Sequence, residues 1–390
     1  MSGRVMLTRL SDATRSTCGG KAATLGVLLR GGLPVPDGFV VPAGEQRTGS
    51  DAGQALRAAV ARELGRLGDP VVAVRSSAAN EDTAHASAAG QYESVIGVRG
   101  PDDVCEAIAV CRASARATRV AAYRDQTGGS TSAVHMAVLV QRVIEADVSG
   151  VMFTPEQPGG STRIEASWGL GVTVVSGIVT PDTYEVAPDG SIACTIGGKE
   201  TRVDLGHERS GVVTSVVAEG QQAARTLDDD TTTLLAGLGS RIAAVLDGPQ
   251  DIEWAVAGDK VWIVQSRPIT ASLPAIPRSD AVMPSSALRG TPGSHGVVTA
   301  TARIVRGPSD FQTVRSGEVV VCRYTDPAWT PLFTIASGVV TETGGSLSHA
   351  AIVAREYGIP AVLRVADATT RIRNGDRIAL DGTAGTVTVL

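Results

Sequence analysis

The residue whose type and setting best suit chemistry is His349, in the segment Thr343-Gly-Gly-Ser-Leu-Ser-His349. A β-rich run ends at Thr341 and a Gly344-Gly345 turn follows. The pattern then predicts a helix that opens near Ser348 and closes at Gly358 and Pro360. His349 falls in the first turn of that helix, where backbone N–H groups lack intrahelical partners and the helix dipole is positive. A phosphoryl group on the ring would be stabilised there as any anion is. Gly344 and Gly345 would let it approach the backbone, and Thr343 and Ser348 would supply hydroxyl donors. Imidazole, with an ordinary pKa near ~6.5, is a good nucleophile at neutral pH. A lone histidine at a helix start is more often packed and inert, but the Thr-Gly-Gly-x-x-Ser-His pattern tips this one toward phosphoryl chemistry. His85, His135, His207 and His295 have no such setting.

A second set of residues suits nucleotide phosphates. Cys18-Gly-Gly-Lys21 puts a lysine after two glycines at the start of a helical stretch, although residue 22 is Ala and no Walker A motif is present. Taken alone, Lys21 is as readily a solvated lysine as a phosphate ligand. Val74-Arg-Ser-Ser-Ala78 places Arg75 at a strand end, followed by small, donor-rich residues that can grip phosphate oxygens. Asp251-Ile-Glu-Trp-Ala255 and Val264-Gln-Ser-Arg-Pro268 read as a strand pair joined by Gly258-Asp259. Alternation puts Asp251 and Glu253 on one face, and Gln265 and Arg267 on one face. Two carboxylates plus a carboxamide oxygen can hold Mg²⁺, and Arg267 beside them could neutralise phosphate.

These residues need a frame. Helical spacing covers 22–30, 51–67 and 106–124, and strands read at 38–41, 70–74, 138–143, 151–154, 251–256 and 261–265. The short antiparallel pair argues against a doubly wound sheet, so the fold class is α+β. Residues 271–290, ASLPAIPRSDAVMPSSALRG, have the Pro/Ser/Ala composition of a linker. The expected organisation is a nucleotide-binding domain over 1–270, a linker over 271–290 and a strand-rich histidine domain over 291–390. The strands of that last domain are expected at 299–305, 318–321, 338–341, 361–363, 377–380 and 386–390.

Composition narrows the function classes. The net charge is −5 and no long basic run occurs, which argues against nucleic acid as a partner. No apolar run approaches the ~20 residues of a membrane span, and the first ten residues do not read as a signal peptide. The five cysteines form no CxxC pair and read as reduced thiols of a cytoplasmic protein. Lysine is nearly absent: only Lys21, Lys199 and Lys260 occur.

Together the motifs resemble the phosphoenolpyruvate synthase and pyruvate phosphate dikinase family, including its rifampicin phosphotransferase branch. The matching blocks run along nearly the whole chain: GGKAATLG (19–26), GLPVPDGFVV (32–41), VRSSA (74–78), VQRVIEADVSGVMFT (140–154), EASWGLG (165–171), DIEWA (251–255), VQSRPIT (264–270) and TGGSLSHAAIVARE (343–356). The resemblance implies an ATP-grasp domain followed by a small swivelling domain that bears a phosphohistidine at His349. It implies an ATP site at Lys21, Arg75, Gly90, Ser94, Gln141, Glu253, Gln265 and Arg267. In that site Lys21, Arg75 and Arg267 would touch phosphates, Gln141 would lie near the adenine, and Glu253 and Gln265 would ligate Mg²⁺.

The implied reaction passes the β-phosphoryl of ATP to His349 and then to an acceptor, giving AMP and phosphate. The family's GLGE becomes Gly169-Leu-Gly-Val172, which loses a carboxylate. No β/α barrel for pyruvate is expected within the chain. The acceptor would therefore be a small molecule bound between the domains, or would sit on a separate acceptor-domain protein. A non-catalytic nucleotide-binding regulatory module is the remaining alternative, weakened by the retention of His349 and the candidate Mg²⁺ ligands.

Overall fold

A computed structural model describes residues 5–43, 50–78, 94–114, 136–206, 210–274 and 287–390. Among them the N-terminal part is built on two antiparallel sheets. The five-stranded sheet runs in the order Thr8–Arg9, Gly38–Val41, Met136–Arg142, Val72–Ala78 and Ser94–Val98. The six-stranded sheet runs Lys260–Pro268, Gln250–Ala257, Val148–Phe153, Thr162–Trp168, Asp182–Val186 and Ile192–Thr195. Helix Arg15–Arg30 joins them, burying Cys18, Ala22, Leu25 and Leu28 in a core that also holds Ile252, Trp254 and Ile263.

The C-terminal part is a single eight-stranded sheet. Its centre, Val297–Ile304, Val319–Cys322, Gly338–Thr341 and Ala361–Leu363, pairs in parallel. The last three are short, Val-rich runs buried on both faces, as parallel strands require. Helix His349–Glu356 returns the chain from Gly338–Thr341 to Ala361–Leu363 and packs Ala350, Ala351, Val353 and Ala354 onto the sheet. The α+β class is what the alternating helices and antiparallel pairs anticipate.

Several elements depart from the sequence reading. The first helix starts at Arg15, seven residues before the periodic stretch, and is broken at Gly19, whose φ is +80°. A Cβ there would collide with the Ser77 carbonyl, so the chain can pass only as glycine. The third helix runs Gly100–Ser114, with Asp102 and Asp103 favourably placed in its first turn. Residues 115–124 of the expected helix lie outside the described residues. Strand Leu288–Arg289 pairs with Thr386–Val389, so the C-terminal sheet begins inside the stretch read as linker.

Nine of the described strands and one long helix carry no clear sequence signal. Strand Val212–Val216 is exposed throughout, and helix Asp229–Val245 carries three consecutive threonines and two glycines. That helix is set by its cap: Asp228 Oδ1 accepts from Thr231 N at 2.7 Å.

One buried ion pair braces the edge of the six-stranded sheet. Lys199 and Asp182 are both fully buried and paired, and Lys199 Nζ also donates to Gly197 O at 3.0 Å. Asp182 further accepts from Gly197 N at 2.8 Å and Thr226 N at 2.8 Å. Lys199→Ala would strand a desolvated carboxylate, a loss of about 3–5 kcal/mol. Urea unfolding should read that loss as a lowered midpoint with an unchanged slope.

Candidate functional site

The glycine break at Gly19 brings the two N-terminal phosphate motifs together. Ser77 Oγ donates to Cys18 O at 2.7 Å, and Ala22 N donates to Ser77 Oγ at 3.1 Å. Lys21 is thereby laid along strand Val72–Ala78, with Nζ donating to Ser76 O at 3.0 Å. The strand pair Gln250–Ala257 and Lys260–Pro268 supplies the facing wall. Asp251 pairs with Arg267 and Glu253 with Gln265, and a bulge follows at Val264. Ile252 and Trp254, on the other face, are buried in the core and fix which way the polar residues point.

The result is a cleft of about 580 Å³ lined by Lys21, Arg75, Ser94, Gln141, Glu253, Gln265, Arg267 and His349. Eight of the positions singled out in the sequence thus meet in one cavity, although they span most of the chain. Gly90 lies outside the described residues. Arg75 bridges the walls: Nη1 donates to Val264 O at 3.2 Å, and Nη2 reaches Glu253 Oε2 at 3.4 Å and Gln265 Oε1. Gln141 is buried, and its Nε2 donates to Pro36 O at 3.2 Å. Ser94 stands opposite Arg75 in the sheet and is exposed at the rim.

Asp251 does not share the cleft with Glu253. It is buried behind, accepting from Arg267 Nε at 2.8 Å, so of the two carboxylates only Glu253 is presented to the cavity. Burial raises the Asp251 carboxyl against the opposing pull of Arg267. Glu253 Oε2 and Gln265 Oε1 are hard oxygen donors side by side on the cleft wall, a set that fits Mg²⁺ better than a softer metal. Among the described residues no cluster of three His, Cys, Asp or Glu side chains forms a protein-only cage. Mg²⁺ commonly takes the rest of its shell from water and substrate phosphates.

His349 closes the cleft from the C-terminal domain. Its ring is 3% exposed, with Nδ1 3.0 Å from Thr325 Oγ1 and Nε2 3.5 Å from Thr330 Oγ1. The edge of Phe333 lies against it, with ring centroids 6.2 Å apart. Burial, with the Arg267 guanidinium adding to it, pushes the imidazole down to about 3, so the ring is neutral.

The two threonines had not been singled out. They flank Asp326-Pro327, where Asp326 Oδ1 caps Ala328 N at 2.8 Å. An Asp-Pro helix start is a legible signal, but its contact with His349 is not.

The loop before His349 corrects the sequence reading. Ser348 is at the N-cap position, yet its Oγ donates to Gly345 O at 2.8 Å and does not cap the helix. Thr343 Oγ1 donates to Gly177 O at 2.7 Å, and Gly344 N donates to Val179 O at 3.1 Å. Gly345 leaves room for the carboxylate of Glu165, not for a phosphoryl group. All four residues expected to support an anion are engaged within their own turn or across the contact with the N-terminal part.

Comparison with known proteins decides the family. Residues 48–281 match the pyruvate phosphate dikinase AMP/ATP-binding domain, and residues 314–385 match the mobile domain of PEP-utilising enzymes. The chain belongs to the phosphoenolpyruvate synthase and pyruvate phosphate dikinase family of phosphotransferases. It is 33% identical over 417 residues to the probable phosphoenolpyruvate synthase of Methanothermobacter thermautotrophicus, covering 95% of this chain and 61% of that protein. Against the phosphoenolpyruvate synthase of Pyrococcus furiosus, identity is 38% over 332 residues, covering 81% of this chain and 40% of the other. The chain thus spans about two fifths to three fifths of the length of these relatives.

The solved D-alanine–D-alanine ligase of Bacillus anthracis matches at 11% identity and a TM-score of 0.31, over 66% of this chain and 58% of its own. That likeness is too loose to decide anything. The α+β fold, with an ATP-grasp domain and a mobile domain, is that of the family. The cleft lies where the AMP/ATP-binding domain meets the mobile domain. No described helix is long and apolar enough to cross a membrane.

The depressed imidazole has a measurable consequence. The free side chain titrates near ~6.5. Between that value and the folded value near 3 the unfolded chain binds the extra proton, so His349 contributes stability that declines as pH falls through this window. In NMR of ¹⁵N-histidine-labelled protein, His349 should remain neutral at about pH 5, where an ordinary histidine is charged.

Proposed function

We propose that the protein is an ATP-dependent dikinase-type phosphotransferase. In this reading the β-phosphoryl of ATP passes to His349 and then to a small-molecule acceptor, or to one held by a separate acceptor-domain protein. The observation that carries it is the neutral His349 ring lining the same cleft as Lys21, Arg75 and Glu253. A ring held neutral keeps its lone pair at any physiological pH, so it needs no general base before attack. In the tautomer this reaction needs, Nδ1–H donates to Thr325 Oγ1 and the Nε2 lone pair is left for attack. Thr330 Oγ1, 3.5 Å from Nε2, donates its own proton to Pro327 O at 2.9 Å and so does not tie up that lone pair.

Nε2 attacks the β-phosphorus, the bond to the α-phosphate oxygen breaks, and AMP leaves. Water then attacks the γ-phosphorus and the β–γ anhydride bond breaks, which releases phosphate and leaves one phosphoryl group on the ring. Lys21, Arg75 and Arg267 hold the polyphosphate and spread its charge, the dominant contribution expected for phosphoryl transfer. Glu253 and Gln265 would hold Mg²⁺, which supplies further charge neutralisation at the phosphates. Ile96, Ile144, Leu170 and Val264 form an apolar wall suited to a purine, with Gln141 at its edge.

The test is incubation with β-labelled and γ-labelled ATP and Mg²⁺. Acid-labile β-label should appear on the protein with AMP as nucleotide product, and His349→Ala should abolish it. Arg75→Ala should lower the labelling rate by about 10²–10³-fold. ADP as the only nucleotide product, with His349→Ala fully active, would refute the reading.

A further inference from the structure

The mobile domain brings two ionisable side chains to the cleft. The residues it contributes to the lining are Asp326, Pro327, Ala328, His349 and Ile352, so among the described residues Asp326 is the only carboxylate of the lining that shares a domain with the histidine. It lies on the turn that wraps the ring. Thr325, just before it, has Oγ1 3.0 Å from Nδ1, and Thr330, further along the turn, has Oγ1 3.5 Å from Nε2. Two residues that contact the ring thus bracket Asp326, and the chain keeps the carboxylate with the imidazole wherever the mobile domain stands.

The local fold does not call for a charge here. Asp326 is the N-cap of the short turn Pro327–Trp329, and its Oδ1 accepts from Ala328 N at 2.8 Å. Asparagine or serine would cap as well. Among the described residues the carboxylate makes no ion pair, and Oδ2 has no partner. The residue is half-buried and Ala328 beside it is exposed, so water reaches the group. A negative charge facing a cleft lined by Lys21, Arg75 and Arg267 opposes the binding of a polyphosphate. Neither the cap nor nucleotide binding accounts for the carboxylate.

The step that still lacks a residue is removal of the γ-phosphoryl group. Once AMP has left, the ring carries a pyrophosphoryl group, and a water must be held in line with the β–γ anhydride bond. Glu253, the other carboxylate of the lining, is engaged by Arg75 Nη2 at 3.4 Å and would ligate Mg²⁺. We propose that Asp326 is the catalytic residue that orients and deprotonates this water, so that water and not inorganic phosphate takes the γ-phosphoryl group. The water oxygen bonds to the γ-phosphorus, and the bond from the γ-phosphorus to the bridging oxygen breaks. The bridging oxygen stays on the β-phosphoryl group. One water proton passes to Oδ2 and then to solvent, and phosphate departs. The proposal rests on the phosphotransfer reading above and adds the residue that completes it.

The experiment follows the first turnover with β-labelled and γ-labelled ATP and Mg²⁺ in wild type, Asp326→Asn and Asp326→Ala. AMP, free phosphate and acid-labile β- and γ-label on the protein are measured. Asp326→Asn keeps an oxygen that caps Ala328 N, so the turn is preserved while the carboxylate is lost. In wild type, phosphate should appear with AMP, and the protein should retain β-label alone. In Asp326→Asn the rate of phosphate release relative to AMP formation should fall by about 10²-fold or more, the contribution typical of a general base. The protein should then carry β- and γ-label in equal amounts. Asp326→Ala should show the same change with a lower melting temperature, because the cap is lost as well.

Loss of γ-label from Asp326→Asn as fast as from wild type would overturn the proposal. So would an equal slowing of AMP formation and phosphate release, which is what a residue that only shapes the turn produces. Departure of γ-label from wild type as pyrophosphate when phosphate is added, with retention on the protein when it is omitted, would overturn it too, because phosphate would then be the acceptor. Wild type with no β-label on the protein would refute the phosphotransfer reading itself and the proposal with it. Any of the earlier results with β-label present on wild type refutes the proposal alone.

Discussion

A neutral imidazole, desolvated at the junction of two domains, is the constraint on which this structure turns. His349 sits between two threonine hydroxyls and under the influence of the Arg267 guanidinium, at the end of a cleft lined with cations. In water the ring would be partly protonated and would lack a free lone pair for part of its time. Burial removes the charge and keeps the lone pair, and under the proposed reaction Lys21, Arg75 and Arg267 would supply the positive field that a polyphosphate needs. Ring and cations come from different domains, so each can be built without compromising the other.

That division explains why so much of the polar chemistry lies at the domain contact. Asp251 and Glu165 are buried ionisable groups and Arg355 is half-buried beside them, and none of them would be tolerated without partners. Asp251 is matched by Arg267 within the nucleotide domain, whereas Glu165 finds its hydrogen-bond donors in Ser346 and Leu347 of the other. A contact built from hydrogen bonds and charges, and not from one large apolar face, can open without exposing a core. The apolar residues near it form a small cluster of Val151, Phe153, Val174 and Leu347, separate from the main cores of either domain.

Much of the lining of the cleft is legible in the sequence. Lys21, Arg75, Glu253, Gln265 and His349 stand beside local signals with physical meaning: glycines at a close approach, an arginine at a strand end, polar residues alternating with Ile252 and Trp254, and a helix opening after a glycine turn. The expected strands 38–41, 338–341 and 361–363 coincide with observed ones because short, doubly buried Val-rich runs bounded by Gly or Pro leave little choice. Strand Val212–Val216 and helix Asp229–Val245 escaped because one has no buried face and the other has weak helix formers held by a cap. The roles given to Thr343, Gly344, Gly345 and Ser348 rest on local pattern alone, whereas in the fold these groups are engaged by the loop's own turn or by the neighbouring domain.

The sequence by itself determined the family, the α+β class and the identity of the residues that face the cleft, because each depends on local pattern: periodicity, turn chemistry and residue type. It could not say that Asp251 turns away to pair with Arg267, that Thr325 and Thr330 hold the His349 ring, or that Glu165 reaches into the histidine loop. Those facts join residues as far apart as Glu165 and Ser346, and their energies come from desolvation and from partners that only the folded arrangement brings within reach. Tertiary structure decided them because a charge or a hydroxyl has no fixed role until its surroundings, water or protein, are known.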